Sequence, residues 1–238
     1  MIADFHTHVL PRVDDGSASL EESLAMLRME AQQGVHHVVA TPHFYPRHDD
    51  PERFLARRAQ AEKRLRECVS QEPGLPEITV GAEVYFFSGI SDSEALERLT
   101  IGENRFILIE MKQSPWGEYV YRELENIYLK QGLTPIVAHV DRYISPFHTY
   151  GIPERLADLP VLVQANADFF LRRATRSMAL RMLKKGQIHL LGSDCHNVGS
   201  RPPQLGEAVQ VIRKRLGNEV LAQVENNGFN VLGTLNKL

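Results

Sequence analysis

Apolar residues fall into short runs along the chain, and each run gives way to a polar loop and then to an amphipathic stripe. Residues 2–5 read as a strand. Ser19-Leu20-Glu21-Glu22 is a capping box. Leu20, Leu24, Leu27 and Ala31 then recur at helical spacing until Gly34 stops the helix. Residues 35–40 form a second, buried strand. Asp50-Pro51 supplies the N-cap and first turn of a long charged helix towards Cys68. After a loop at 72–76, residues 78–82, 106–109, 135–138, 161–165 and 188–192 read as five more strands. Helices are expected over about 93–99, 118–131 and 174–185, with further helical segments after Gln204.

Seven strands alternating with helices imply parallel βαβ units. Right-handed crossovers then make either a barrel or a doubly wound sheet, and both collect chemistry at the carboxyl ends of the strands. The doubly wound sheet usually brings a Gly-rich phosphate loop, and neither GxGxxG nor GxxxxGK occurs here. No break in composition marks a second domain, so residues 1–238 are expected to form one unit. With 43% hydrophobic and 24% charged residues the chain is an ordinary globular one. A net charge of −3 gives no reason to expect nucleic acid. Two cysteines are too few for a disulfide framework, which points to a reducing, cytoplasmic setting. No secretion signal and no membrane-length apolar run is seen. The ten histidines are the unusual feature.

Side chains two apart on a strand share a face, so His6 and His8 at the first strand end point the same way. One such pair is also ordinary packing. The other strand ends decide between the two. The second runs into Thr41-Pro42-His43, the third ends at Glu83, the fourth at Glu110, the fifth at His139, the sixth at Asn166 and the seventh at Asp194-Cys195-His196. Asp14-Asp15-Gly16 lies in the first loop. Packing or capping explains any one of these residues, but not so many histidines and carboxylates on one rim. Burying them without a cation would be costly; a polynuclear metal site supplies the missing charge. Mixed imidazole and carboxylate donors suit zinc, manganese or iron better than calcium or magnesium. His36, His37 and His189 sit within strands and read as packed or capped. His48 and His148 lie in loops, where polar residues can reach a substrate.

Asp4-x-His6-x-His8, Thr41-Pro42-His43, Gly81-Ala82-Glu83, Ala138-His139 and Ser193-Asp194-x-His196 together resemble the polymerase and histidinol phosphatase (PHP) family of metal-dependent hydrolases. Val13-Asp14-Asp15-Gly16, Ile109-Glu110, Ala138-His139-Val140-Asp141-Arg142-Tyr143 and Arg201-Pro202-Pro203 narrow the likeness to the bacterial capsule and exopolysaccharide tyrosine phosphatases. The resemblance implies an α/β fold, a distorted seven-stranded (β/α)7 TIM-like barrel of PHP type, with three divalent ions. Manganese is the usual ion in this branch, with iron and zinc as alternatives. It assigns His6, His8, Glu83 and Asp194 to one ion, Glu83, Glu110 and His139 to a second, and Asp15, His43 and His196 to the third. Asp15 is preferred over Asp14, and Asp4 becomes a supporting residue beneath the histidines. Arg142 and Arg201 would steady the phosphoryl oxygens. The segment Phe44-Tyr45-Pro46-Arg47-His48 departs from the family pattern, which leaves its part in substrate choice open.

The reaction implied is hydrolysis of a phosphate monoester, preferably phosphotyrosine on the tail of a bacterial tyrosine kinase of polysaccharide export. A small-molecule phosphatase such as histidinol phosphatase is the alternative. A non-catalytic module retaining only the metal site is disfavoured by the full ligand set. A different mechanism also fits one motif: Cys195 to Arg201 matches Cys-x5-Arg, the signature of thiolate-dependent tyrosine phosphatases. Pro202-Pro203 interrupts the helix that should follow such a loop, and Asp194 and His196 already serve as ligands, so Cys195 reads as a small packed residue.

Overall fold

The computed structural model describes residues 2–144 and 151–233, so His148 lies outside the described residues. The strands are β1 (Ile2–Thr7), β2 (Val35–Ala40), β3 (His43–Phe44), β4 (Glu77–Val80), β5 (Glu83–Tyr85), β6 (Phe106–Glu110), β7 (Thr134–Val137), β8 (Leu162–Asn166) and β9 (Leu190–Gly192). The helices are α1 (Leu20–Gln32), α2 (Pro51–Val69), α3 (Glu118–Gln131), α4 (Asp141–Ile144), α5 (Ile152–Ala157), α6 (Ala167–Leu171), α7 (Arg176–Lys184), α8 (Leu205–Leu216) and α9 (Asn218–Leu232).

The expected local signals operate at the helix ends. Ser19 caps α1 by accepting the Glu22 N–H, and Glu22 reaches back to the Ala18 N–H at 2.8 Å. Asp50 caps α2 with Pro51 at its first position. Gly132, at φ 62°, ends α3. The buried face of α1 differs from the leucine stripe. Ser23, Met26, Leu27 and Glu30 are its most buried residues, while Leu20 and Leu24 only flank the core. The expected helix at 93–99 is instead a pair of 3-10 turns over Ile90–Asp92 and Glu94–Arg98.

All described strand pairs are parallel. One sheet runs β1-β2-β4 and the other β3-β5-β6-β7-β8-β9. Two short strands not expected from the sequence, β3 and β5, thus follow the strands expected at 35–40 and 78–82, after breaks at Thr41-Pro42 and Gly81-Ala82. Proline has no N–H to give to a ladder, which accounts for the first break. Pairing nevertheless carries across: Thr41 N–H donates to Thr7 O at 2.8 Å, Gly81 N–H to Ala40 O at 2.9 Å, and Glu83 N–H to Pro42 O at 3.0 Å. At the far side Asp194 N–H donates to His6 O and His8 N–H to Cys195 O, beside an isolated Thr7–Cys195 bridge.

The result is an α/β fold with a curled parallel sheet. Phe5, Val39, Leu108, Ile136 and Leu190, from five different strands, meet in one buried cluster with Ile101 and Val231. A flat sheet spaces neighbouring strands by ~4.8 Å and could not bring these side chains together. A larger cluster fills the space between sheet and helices. Each large apolar side chain buried there contributes roughly 1.5–3 kcal/mol. This packing fixes the strand ends on which the polar residues stand. No helix among the described residues is long and apolar enough to cross a membrane.

Candidate metal centre

The nine histidines and carboxylates assigned from the strand ends and first loop all lie in one connected cluster. Their donor atoms form four overlapping groups, each within 4.8 Å: His6, His8 and Asp194; His6, Glu83 and His139; His43, Glu83 and Glu110; and His8, Asp15, His43 and His196. Glu83 sits at the middle. Its Oε2 is 3.0 Å from His6 Nε2 and 3.0 Å from His43 Nδ1, and its Oε1 is 2.8 Å from His139 Nε2. Asp15 differs from the rest in being exposed, 3.6 Å from both His43 Nε2 and His196 Nε2. Asp4 belongs to none of the four groups. It is buried beside them and accepts the backbone N–H groups of His6 and Ser193, tying β1 to the end of β9.

Three of the imidazoles are oriented by partners outside the cluster. His8 Nδ1 meets Asp14 Oδ2 at 2.6 Å, His6 Nδ1 meets Gln164 Oε1 at 3.3 Å, and His139 Nδ1 meets the Tyr143 hydroxyl at 3.0 Å. His196 Nδ1 donates to the Asp194 carbonyl at 3.0 Å. With Nδ1–H donated to Asp14, Gln164 and the Asp194 carbonyl, Nε2 of His8, His6 and His196 keeps its lone pair for a cation. Gln164 links several parts of the site. Its Oε1 also accepts the His139 N–H at 2.6 Å, its Nε2 donates to Asn166 Oδ1, and Asn166 Nδ2 donates to Asp194 Oδ2. Nothing in the chain pattern singled out Gln164, because it lies two residues before the strand end.

Two candidate ligands stand in the left-handed region, His139 at φ 31° and Asp194 at φ 57°. Side chains other than glycine rarely adopt it, and such outliers persist where the surroundings enforce them. Two glycines permit the close packing here. A Cβ on Gly16 would lie 2.4 Å from His8 Cβ, and one on Gly192 would lie 2.6 Å from His6 Cβ.

The electrostatics call for cations. Asp14, Asp15, Glu83, Glu110 and Asp194 surround the site, with Arg142 and Arg201 as the nearby guanidinium groups. Burial opposes charge on Glu83, yet His6, His139 and His43 hold its pKa well below the usual carboxylate range. Asp194 is likewise held low against burial by His6, His8 and Arg142. Burial also opposes charge on His6 and His8, but the facing carboxylates raise both above ordinary imidazole values. Burial and the His8 charge push His196 down to about 3. Glu110 is raised by burial and by Glu83. The carboxylates that raise His6 and His8 would equally favour a cation held among them. The fit to a metal is direct. His43 Nδ1, Glu83 Oε2, Glu110 Oε2 and His196 Nε2 are buried and make no well-aligned hydrogen bond among the described residues, although Glu83 Oε2 lies close to the His6 and His43 nitrogens. Orphaned donors of this kind are costly unless an ion takes them up.

Arg142 and Arg201 converge on Asp194, Arg142 through Oδ2 and Arg201 through Oδ1 at 2.8 Å. Both are partly exposed and line a cleft of about 540 Å³ beside the cluster. Cys195, by contrast, is fully buried, and burial together with Glu30 and Asp4 pushes its thiol well above the usual range. The loop after it has spent its amides. Gly199, Ser200 and Arg201 N–H groups donate to Asn197 Oδ1 at 3.0, 2.7 and 3.1 Å, so they do not form an anion cradle around a thiolate. The Cys-x5-Arg match is therefore incidental. His37 and His189 are structural: His37 Nε2 meets Thr79 Oγ1 at 2.8 Å, and His189 Nδ1 accepts the Val163 N–H at 3.1 Å.

The profile of the capsular polysaccharide synthesis family CpsB/CapC matches residues 2–232. The chain belongs to this family. Among CpsB/CapC relatives, tyrosine-protein phosphatase CpsB of Streptococcus pneumoniae is 31% identical over 229 residues, covering 90% of each chain. CpsB of Streptococcus agalactiae serotype III is 29% identical over 232 residues, covering 91% of each. Tyrosine-protein phosphatase YwqE of Bacillus subtilis is 28% identical, covering 94% of this chain and 89% of that one. A solved structure from work on YwqE of B. subtilis and CpsB of S. pneumoniae, described as metal-dependent tyrosine phosphatases, superposes with TM-score 0.86. The likeness has 24% identity, covers 98% of this chain and 95% of that one, and bears on the fold.

Proposed function

We propose that this chain is a metal-dependent protein-tyrosine phosphatase of capsule or exopolysaccharide synthesis. Its substrate is phosphotyrosine on a protein, the tail of a bacterial tyrosine kinase being the preferred partner. The observation that carries the reading is the set of orphaned, buried donors on the strand ends beside two convergent arginines. The CpsB and YwqE relatives, which bear the name tyrosine-protein phosphatase, supply the substrate class.

The ligands are His6, His8, Asp15, His43, Glu83, Glu110, His139, Asp194 and His196. Their number and mixed donor types suit three divalent ions, manganese first, with iron or zinc as alternatives. Ions held there supply Lewis acidity, which activates water and offsets phosphoryl charge. Arg142 and Arg201 present guanidinium groups on the open side, where they would bind phosphoryl oxygens, and Asp194 would help to hold an ion. Asp14 and Gln164 hold His8 and His6 in orientation, and Asp4 braces the strand beneath them. Phenolate leaves readily, so no general acid is assigned.

Residues 1–238 act as one PHP-type domain. Taking β2 with β3 and β4 with β5 as single interrupted strands gives seven, and the Thr7–Cys195 bridge supports closure into a distorted (β/α)7 barrel. Two free thiols and the lack of a membrane-crossing helix among the described residues fit work in the cytoplasm.

The test is turnover of a phosphotyrosine peptide and of histidinol phosphate, measured side by side with added Mn²⁺. A kcat/KM at least tenfold higher for the peptide is expected. Preference for histidinol phosphate would overturn the assignment in favour of a small-molecule phosphatase.

A further inference from the structure

A second groove of about 450 Å³ opens beside the cluster, with no lining residue in common with the arginine cleft. It starts at the strand ends that carry the ligands. Tyr85 lies two residues beyond Glu83 and pairs in register with Glu110, and Lys112 lies two beyond Glu110. Tyr45 forms the shared wall: its ring stacks on His43 with centroids 5.0 Å apart and planes at 26°. Tyr45 and Tyr85 rings are 5.7 Å apart, and Phe87 continues the aromatic lining. Arg47, His48 and Lys112 are exposed around it.

The wall is held in place. His48 and Asp49 N–H groups both donate to Tyr45 O at 2.8 Å, Tyr45 N–H donates to Asp49 Oδ2, and Arg57 pairs with Asp49 at 3.2 Å. The segment 44–48, which departs from the family pattern, is thus a built turn. Its chemistry differs from that of the arginine cleft, where Asp141, Asp168 and Asp194 alternate with Arg142, Arg172 and Arg201. A flat ring gains from aromatic faces at its edges and sides, and cations at the mouth favour an acidic chain.

We infer that this groove seats the phenyl ring of phosphotyrosine, with acidic residues of the surrounding polypeptide against Arg47, His48 and Lys112. The inference rests on the phosphotyrosine-phosphatase reading and names its specificity-determining residues: Tyr85 and Phe87 for the ring, Arg47 and Lys112 for its flanks. The phosphoryl group would then be directed towards the candidate metal cluster that includes Glu83 and Glu110.

The experiment compares the manganese-loaded enzyme with Tyr85→Ala, Phe87→Ala and the double variant Arg47→Glu/Lys112→Glu. Substrates are a phosphotyrosine peptide with Asp and Glu flanks, the same peptide with Lys flanks, and glycerol phosphate. Metal content of each variant reports folding. The ring variants are expected to raise KM for the acidic peptide about five- to tenfold more than KM for glycerol phosphate. The charge-reversed variant, which leaves the aromatic floor intact, is expected to lose the wild-type preference for acidic flanks. That preference should weaken as salt is raised. Equal changes for the peptide and for glycerol phosphate, or an unaltered flank preference, would overturn the groove assignment while leaving the phosphatase reading intact. Wild-type enzyme inactive on both phosphotyrosine peptides would overturn the phosphatase reading itself.

Discussion

His8 and Asp14 are locked together: Nδ1 of the imidazole lies 2.6 Å from Oδ2 of the carboxylate, and that same oxygen accepts the His43 backbone N–H at 2.8 Å. Asp14 thereby orients one candidate ligand and positions a second while touching neither of their free nitrogens. Replacing it as Asp14→Asn keeps the shape but removes the charge that holds the His8 proton at Nδ1. Metal affinity is expected to fall about 10–100-fold, with activity restored at high Mn²⁺. A Mn²⁺ titration checks this; an unchanged midpoint would assign Asp14 a packing role only.

The same pair sets a pH window in metal-free protein. Burial opposes charge on Asp14, but His8 and two backbone N–H groups lower its pKa from 3.8 to about 2. Its stabilisation is complete above 3.8 and is lost as pH falls through about 2. A shift of that size is worth about 2 kcal/mol. His6 and His8 are raised above 6.5, so their contribution is complete below 6.5 and is lost as pH rises through the raised values. The contribution of Asp14, His6 and His8 is therefore complete between about pH 4 and 6.5 and falls off on both sides, while His196, held down at about 3, subtracts stability as pH falls below 6.5. Urea midpoints against pH test this, and metal should abolish the alkaline decline. A flat profile from pH 5 to 9 without metal would contradict it.

Arg142 and Arg201 meet on Asp194 from two sides. Arg142→Ala or Arg201→Ala should each lower kcat/KM for phosphotyrosine peptide about 10²-fold, with metal content unchanged. Arg201→Lys should recover only part, because an ammonium cannot make the paired contact. Losses under threefold would make both arginines surface ion pairs.

Cys195 is sealed beneath the site, with its Sγ 4.0 Å from Glu30 Oε1 and its thiol pushed up by burial. Cys195→Ser should leave kcat/KM within about threefold. A thousandfold loss with metals still bound would restore the thiolate mechanism.

The strand ends were legible because alternation of short apolar runs with polar loops carries the parallel fold, and because histidines and carboxylates are scarce enough to stand out at strand ends. The short strands β3 and β5 were not: Pro42 interrupts the ladder beyond β2, and pairing continues past it through the Glu83 N–H to Pro42 O. The short helices α4, α5 and α6 carry too few residues for a stripe to register. Gln164 and Tyr143 orient His6 and His139 only through contacts made by the folded chain. The backbone of His139 and Asp194 in the left-handed region is likewise set by its surroundings and not by residue type. Glu30, whose carboxylate is buried near Asp4 and Cys195, was hidden by the neighbouring leucine stripe.

Elemental analysis of purified protein, combined with phosphotyrosine-peptide turnover before and after chelation, tests the metal assignment most directly. About three divalent ions per chain are expected, with activity lost on their removal and restored by Mn²⁺. Full activity in protein shown to be free of metal would contradict it.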